Sequence, residues 1–334
     1  MRALARPRQR RPSPERERAI FETILRVDAA CDRTARIGAD PIGPVRRYSG
    51  AANLELAGLV GACLAFGNAK ALRAKVSDAF DRLGPDLTRI ADDELAVFAA
   101  LAGWKHRVYR GEDLARLVVG ARRVQRSHGS LERCLAGLLR NHGELRPALA
   151  GWVAAVRSAG GLDIAARSRR GAAHILPDPA KTSGCKRLLL YLRWMVRPDD
   201  GVDLGVWKSI SPSALLVPVD THLYKLSRNL GFTSRTTLTW ATTEEVTAAL
   251  RRIDPDDPVR FDFSLCHLGM LQRCPSRRDA IRCEGCGIQS VCRHWPEGKA
   301  TAREKEKEKE PNPKKAPNQR PARDPGRKLG RALT

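Results

Sequence analysis

Four cysteines near the end of the chain have a spacing that suits a metal centre. Cys274, Cys283, Cys286 and Cys292 form the pattern C-x8-C-x2-C-x5-C. Thiolates favour zinc or an iron–sulfur cluster. Zinc ribbons usually use two C-x2-C pairs, whereas this segment has one, so the spacing favours a [4Fe–4S] cluster over zinc. The remaining alternative is four cysteines without a ligand, but the segment is polar and arginine-rich, and free cysteines prefer apolar burial.

A lysine and an aspartate, far apart in the chain, each stand at the start of a predicted helix. Ser183-Gly184-Cys185-Lys186 opens a helix that is apolar almost all round, which is typical of a buried helix. A lysine in the first turn of such a helix is unusual, and the ordinary explanation is that its amine extends to the surface. In Val217-Pro218-Val219-Asp220-Thr221-His222, the aspartate is predicted to be an N-cap. That capping role by itself is the alternative to a chemical one.

The elements that position the four cysteines, Lys186 and Asp220 are predicted to be helices. Helical patterns follow one another along the chain, and the sequence shows no strand-rich region and no internal repeat. We predict helices at 14–36, 55–66, 69–83, 92–102, 111–125, 131–139, 145–158, 184–197, 220–230, 243–253 and 258–271, with a turn at 40–44 and a loop at 168–182. The predicted class is all-α in multi-helix form. We expect residues 16–296 to form two helical lobes that include the cysteine loop 274–292, between disordered basic ends at 1–15 and 297–334.

The 334-residue chain carries a formal charge of +23. Residues 1–18 contribute +5 and residues 299–334 contribute +7, so +11 remains on the central part. A basic folded region favours a polyanionic partner, which is nucleic acid or an anionic membrane surface, although some arginine-rich proteins bind neither. The sequence shows no membrane-spanning segment or secretory signal, and nine cysteines argue against a disulfide framework. We therefore expect a cytoplasmic, nucleoid-associated protein.

Together these motifs resemble the helix-hairpin-helix DNA glycosylases of the endonuclease III type. That superfamily has a Gly-x-Lys that opens the second hairpin helix, then a Val-Asp-Thr-His segment, then a C-x6-C-x2-C-x5-C cluster loop. The matches here are Gly184-Cys185-Lys186, Val219-Asp220-Thr221-His222 and the four cysteines, in the same order. Asp40-Pro41-Ile42, the segment 192–197, the segment 199–203 and Trp207-Lys208 look like the hallmarks of a bacterial family of unknown function within this superfamily.

Three features depart from the endonuclease III pattern. The usual Leu-Pro-Gly-x-Gly hairpin keeps only Gly184, and the first cysteine gap is x8 instead of x6. Lys186 and Asp220 are 34 positions apart, which is more similar to the archaeal 8-oxoguanine glycosylases. These departures bear on the hairpin geometry and on the substrate.

The resemblance implies a fold, a reaction and a partner. The fold is the helix-hairpin-helix glycosylase fold with a C-terminal iron–sulfur loop. The reaction is excision of an oxidised base such as 8-oxoguanine together with AP lyase activity, on double-stranded DNA with a damaged base. The protein is expected to act as a monomer and not to bind a membrane. The alternative is a non-catalytic DNA-binding protein of the same fold.

The resemblance also implies roles for particular residues. Lys186 would attack C1′ of the deoxyribose as a neutral amine, and Asp220 would stabilise the positive charge that develops on the sugar. The implied DNA-binding residues are Gly184, Arg187, His222 and Asn68, although His222 could also simply pack. Trp194 and Trp207 would stack a flipped base, with core packing as the alternative for Trp194.

Overall fold

The computed structural model describes residues 12–38, 40–275 and 277–295. The predicted tail 297–334 lies outside these residues, as do residues 1–11 of the predicted N-terminal arm. The first helix begins at Pro14, as its helical pattern predicted, so Pro14 and Glu15 do not belong to the disordered arm that we expected at 1–15. The side chain of Ser13 caps this helix by accepting from the backbone N–H of Arg16.

The described residues are mostly helical, which confirms the all-α class. The helices are α1 (Pro14–Ala29), α2 (Arg33–Ile37), α3 (Ala51–Leu64), α4 (Ala69–Leu83), α5 (Leu87–Ala91), α6 (Glu94–Ala100), α7 (Gly111–His128), α8 (Leu131–His142), α9 (Leu145–Ala159), α10 (Leu162–Ala165), α11 (Arg170–Ile175), α12 (Lys186–Val196), α13 (Thr221–Leu230), α14 (Trp240–Arg251), α15 (Phe261–Leu271) and α16 (Ala280–Cys283). Three short 3-10 turns lie at Val45–Arg47, Pro212–Ala214 and Gln289–Val291. A two-stranded antiparallel hairpin joins β1 (Lys105–His106) to β2 (Tyr109–Arg110).

Several predicted bounds differ from the structure by three or four residues, as at the starts of α3 and α14. Three other differences change the elements themselves or have a visible cause, and in two of these a capping aspartate explains the difference. The predicted helix 14–36 is two helices, because Asp32 caps a new one by accepting from the N–H of Ala35. The predicted helix 92–102 begins two residues later, after Asp93, which caps α6. The predicted loop 168–182 contains α11, a two-turn helix that the pattern did not reveal.

The helices pack in two groups joined by α12. In the first group α3, α6, α8 and α9 surround α7, and in the second α1 and α13 pack on α15. Helix α12 packs along α3, and every residue of α12 after Lys186 is buried. The apolar pattern of α12 therefore predicted its burial correctly. Within the described residues, no helix combines the length and the apolar character needed to cross a membrane.

Two buried arginines attach α12 to the second group. Arg193 donates from Nε to Asp203 Oδ1 at 3.0 Å and from Nη1 to Asp262 Oδ2 on α15. Arg197 pairs with Asp203 and, at 2.9 Å, with Asp257. Because a buried charge without a partner is costly, these paired side chains fix the position of α12 relative to α15.

Candidate active site and cysteine-lined pocket

Lys186 and Asp220 line the same pocket, which we call the Lys186 pocket. It has a volume of about 400 Å³ and lies between the end of α3, α12, α13 and α15. The two residues lie at the N-terminal ends of α12 and α13, so the fold brings together two helix starts that are distant in sequence. This shared pocket is the arrangement that a reaction involving both side chains requires.

Asp220 is the N-cap of α13, as predicted. Its Oδ1 accepts from the backbone N–H groups of His222 and Leu223 at 2.9 and 2.8 Å. Its Oδ2 accepts from the thiol of Cys266 on α15 at 3.2 Å. The carboxylate is therefore held by both oxygens while it stays partly exposed in the pocket.

Lys186 is the first residue of α12 and is partly buried. Within the described part of the chain, its amine makes no hydrogen bond or ion pair. The residue before it, Cys185, has φ +48°, a left-handed conformation that is uncommon for a residue with a side chain. Lys186 also lines a second groove of about 620 Å³, which reaches toward α10 and α11 and contains the exposed Lys181. The free amine thus lies where two cavities meet.

A second carboxyl group lines the Lys186 pocket. Asp262, in the first turn of α15, is 5% exposed and is paired through Oδ2 with Arg193, whose Nη2 is buried without a partner in the described residues. Burial raises the pKa of Asp262 to about 6, with the guanidinium of Arg193 acting in the opposite direction and the carboxylate of Asp220 adding to the increase. Such a group changes its charge near neutral pH, which is typical of functional carboxyl groups.

His222 and Asn68 have accessible side chains, although they differ in position. His222 lines the Lys186 pocket. Asn68 is the exposed N-cap of α4, and its Oδ1 accepts from the N–H of Ala71 at 3.2 Å. Gly67, the residue before Asn68, lines the pocket. The predicted DNA-binding positions 68 and 222 are therefore at or next to the pocket.

Arg187, which we predicted to bind DNA, does not lie on the surface. It is buried at 8% exposure and donates to the carbonyl oxygens of Cys63, His174 and Ile175 and to the hydroxyl of Tyr109. The helix turns its side chain away from Lys186 and into the core. Its donors hold the first turn of α12 against α3, β2 and α11, so the geometry assigns it a structural role.

Gly184, another residue predicted to bind DNA, is also buried, and its neighbours explain why a glycine stands there. A Cβ atom at this position would lie 2.7 Å from Leu238 Cδ2. The neighbouring Ser183 forms a β-bridge with Thr239. The glycine therefore permits close packing of the chain before α12 against the segment that leads into α14.

The two predicted base-stacking tryptophans do not line the Lys186 pocket. Trp194 is fully buried, and its ring lies beside Gly61 of α3. Trp207 is 2% exposed, donates from Nε1 to Glu55 Oε1 at 2.8 Å, and packs edge-on against Tyr191. The structure places both rings in the core, because α3 covers Trp194 of α12, and Trp207, in the chain after α12, packs against that helix. The aromatic rings in the pocket wall are Phe66 and Phe263.

The four cysteines of the predicted cluster loop line one much smaller pocket together with Asn229 and Trp295. The amide of Asn229 donates to Cys274 Sγ at 3.3 Å. Burial raises the pKa of Cys274 to about 11, and the nearby thiols of Cys286, Cys292 and Cys283 add to the increase. The fold thus brings the four thiols around a common space.

In residues 12–38, 40–275 and 277–295, no three His, Cys, Asp or Glu side chains are arranged to hold one metal ion. Tetrahedral zinc is held by thiolates through Zn–S bonds of about 2.3 Å. Iron–sulfur clusters are likewise held by cysteine thiolates. The chemistry of the four side chains therefore fits either group.

The sequence patterns did not identify Asp262 or Cys266 as site residues. The sequence did contain a sign of the role of Asp262. In α15, which is mostly apolar, no other residue is Asp, Glu, Lys or Arg. Cys266 follows Asp262 by four positions and therefore lies on the same helix face. Sequence alone could not show that this face is directed at Asp220, 42 positions earlier.

Residues 40–271 match a family described as "Protein of unknown function (DUF2400)". The comparison with curated proteins gave no match, and neither did the comparison with solved structures. The matched range contains Lys186, Asp220 and Asp262, whereas the four cysteines follow it. Since the match spans more than half of the 334 residues, the chain belongs to the DUF2400 family.

Proposed function

We propose that this protein is a helix-hairpin-helix DNA glycosylase with AP lyase activity, which removes an oxidised base such as 8-oxoguanine from duplex DNA. The observation that carries the proposal is the shared pocket of Lys186 and Asp220. The pocket volume of about 400 Å³ lies within the usual range of ligand sites, so the pocket offers space for the base that an enzyme of this kind must take out of the stack.

In the proposed reaction, Lys186 Nζ attacks C1′ of the extruded nucleotide as a neutral amine. The glycosidic C–N bond breaks, its electron pair goes to the base, and the base leaves after protonation. The new ammonium loses a proton and the sugar ring opens to give a Schiff base. Removal of a C2′ proton then breaks the C3′–O bond and releases the 3′ phosphate, which nicks the strand. Each bond formed on Lys186 is thus matched by one broken on the sugar.

Asp220 has the position and the hydrogen bonds to assist this reaction. Two backbone N–H groups and the thiol of Cys266 hold its carboxylate in one orientation before any substrate is bound. A preorganised negative charge stabilises the positive charge that develops on the sugar without a cost of reorientation in the transition state.

The cysteine-lined pocket is proposed to hold a [4Fe–4S] cluster through Cys274, Cys283, Cys286 and Cys292. The cluster would brace residues 274–292, where Arg277, Arg282 and other arginines make the surface basic and suited to the DNA backbone. It takes no part in the reaction at Lys186. Purified protein that is brown and contains iron supports the cluster, and colourless protein that contains zinc contradicts it.

Borohydride trapping on duplex DNA with an abasic site tests the reaction. We expect a covalent protein–DNA adduct that is lost in Lys186→Ala and kept in Lys181→Ala, because Lys181 lines only the neighbouring groove. Wild-type protein that binds the duplex without forming an adduct would be a non-catalytic DNA-binding protein of the same fold. An adduct that persists in Lys186→Ala would assign the nucleophile elsewhere.

A further inference from the structure

Asp262 is a carboxyl group of the Lys186 pocket that has no part in the reaction proposed for Lys186 and Asp220. It lies in the first turn of α15 and is 5% exposed. Its Oδ2 accepts from Arg193, whereas its Oδ1 makes no hydrogen bond among the described residues. Because Asp262 lines the pocket, one oxygen of a nearly buried carboxyl group is left for a ligand there.

The charges behind Asp262 favour a proton on it. Arg193 pairs with Asp262 and also with Asp203, which is fully buried and receives a second guanidinium from Arg197. Asp40, which lines the pocket, places a further negative charge near Arg193. One guanidinium is thus shared among three carboxyl groups. Asp262 has only part of that positive charge, which does not fully offset the cost of burying its own negative charge.

The charges on the pocket side act in the same direction. The carboxylate of Asp220 accepts from two backbone N–H groups and from the thiol of Cys266, and these donors suit a charged carboxylate. Burial raises the pKa of Asp262 to about 6, and the charge of Asp220 adds to the increase, while a charged Lys186 opposes it. When Lys186 is a neutral amine, that opposition is absent. Two carboxyl groups that share a site in this way divide the roles of charged group and acid.

We propose that Asp262 is the general acid that protonates the base as it leaves. The carboxyl proton passes to an acceptor atom of the base while the C1′–N bond breaks. The electron pair of that bond stays with the base, which therefore departs neutral. Asp262 remains as a carboxylate paired with Arg193 and takes up a proton from water before the next turnover. The inference rests on the proposed function, to which it adds the proton donor.

A bound base strengthens the acid form of Asp262. Phe66 and Phe263 line the pocket, so a base that enters it displaces water from an apolar wall beside the carboxyl group. Loss of water disfavours the charged carboxylate, and the proton is therefore held until the base can accept it.

Excision and trapping separate the role of Asp262 from that of Lys186, because only excision has a base to protonate. On a duplex with 8-oxoguanine, Asp262→Asn should release the base at least about 100-fold more slowly than the wild type in single turnovers. On a duplex with an abasic site, its rate of borohydride trapping should stay close to that of the wild type. Asparagine keeps an acceptor for Arg193, so the variant should fold. Asp163→Asn is the matched control, since Asp163 pairs with an arginine but lines only the neighbouring groove, and both rates should be unchanged.

The dependence on pH gives a second measurement. The excision rate of the wild type divided by that of Asp262→Asn should decrease from about pH 6 to about pH 8, because only the wild type loses an acid over this range. Lys186, Asp40 and His267 also line the pocket, but they are the same in both proteins, so their titration cancels in this ratio. A residue that only shapes the pocket would give a ratio independent of pH.

Three results would overturn the inference. If Asp262→Asn slows excision and trapping equally, Asp262 shapes the pocket and donates no proton. If the variant excises the base at the wild-type rate, the proton comes from another donor. If wild-type protein excises no oxidised base, the proposed function fails and this inference fails with it. The first two results leave the reaction at Lys186 intact, so the two failures are distinguishable.

Discussion

The thiol of Cys266 donates to Asp220 Oδ2 across 3.2 Å, which joins α15 to the N-cap of α13. Burial raises the pKa of this thiol well above its usual value, and the carboxylates of Asp220 and Asp262 raise it further. The thiol therefore stays protonated and remains a donor. Because the other oxygen of Asp220 is held by its own helix, Cys266 is the contact that fixes the carboxylate relative to α15.

Replacing Cys266 tests its action on Asp220. A hydrogen bond to a charged group contributes roughly 1.5 kcal/mol or more, so Cys266→Ala should slow adduct formation about tenfold or more. Cys266→Ser keeps a donor and should be much closer to the wild type. Single-turnover trapping rates measure both. If the two variants slow the reaction equally, Cys266 acts by packing and not through its hydrogen bond.

Asp220→Asn separates the capping role from the charge. Asparagine caps helices about as well as aspartate, so the free energy of unfolding should change by less than about 1 kcal/mol. The negative charge is lost, and base excision should fall at least about 100-fold. Urea denaturation and excision assays on the same preparation give the two quantities. Loss of stability with unchanged excision would leave Asp220 as a helix cap alone.

Asp262 should make stability depend on pH. Its pKa is about 6 in the folded protein, against about 3.9 for an unfolded aspartate. Above pH 6 the folded protein contains the buried, charged carboxylate of Asp262, which lowers the free energy of unfolding. Below pH 4 this carboxyl group is neutral in both the folded and the unfolded protein, so it no longer lowers the stability. Asp262→Asn cannot ionise, so its stability relative to the wild type should increase from pH 4 to 7, by roughly 1–3 kcal/mol. A difference that is constant across these pH values would contradict the raised pKa.

Arg187→Met distinguishes a structural arginine from a DNA contact. Because the change leaves several buried carbonyl oxygens without a donor, we expect the protein to lose roughly 2–4 kcal/mol of stability. If Arg187 instead bound a phosphate, Arg187→Met would keep its stability. The slope of its DNA affinity against salt concentration, both on logarithmic scales, would then decrease by about one unit. Thermal unfolding and binding at several salt concentrations measure the two effects.

The cluster proposal predicts different results for two cysteines. Cys286→Ser removes one proposed ligand and should abolish the visible absorption and most of the bound iron. Cys31→Ser changes a cysteine between α1 and α2, outside the four-cysteine pocket, and should keep the iron. Iron analysis of both purified variants measures the effect. Equal iron in the two proteins would remove Cys286 from the ligand set.

The sequence by itself determined the features that depend on neighbours in the chain. Helix α4 has the predicted bounds, because an amphipathic pattern of fifteen residues needs no distant information. Asp220 could be identified as an N-cap because a cap bonds to N–H groups two and three residues later. The four cysteines lie within nineteen residues, so their loop brings them to one pocket with little help from other elements.

Only the tertiary structure decided which side chains face the Lys186 pocket. Trp194 and Trp207 have the right chemistry for stacking a base, but α3 and its neighbours enclose them. Arg187 follows Lys186 in the chain yet points into the core, while Asp262, 76 positions away, lines the pocket. Burial depends on the elements that pack over a residue, and these come from distant parts of the chain, so its type and its immediate neighbours cannot determine it.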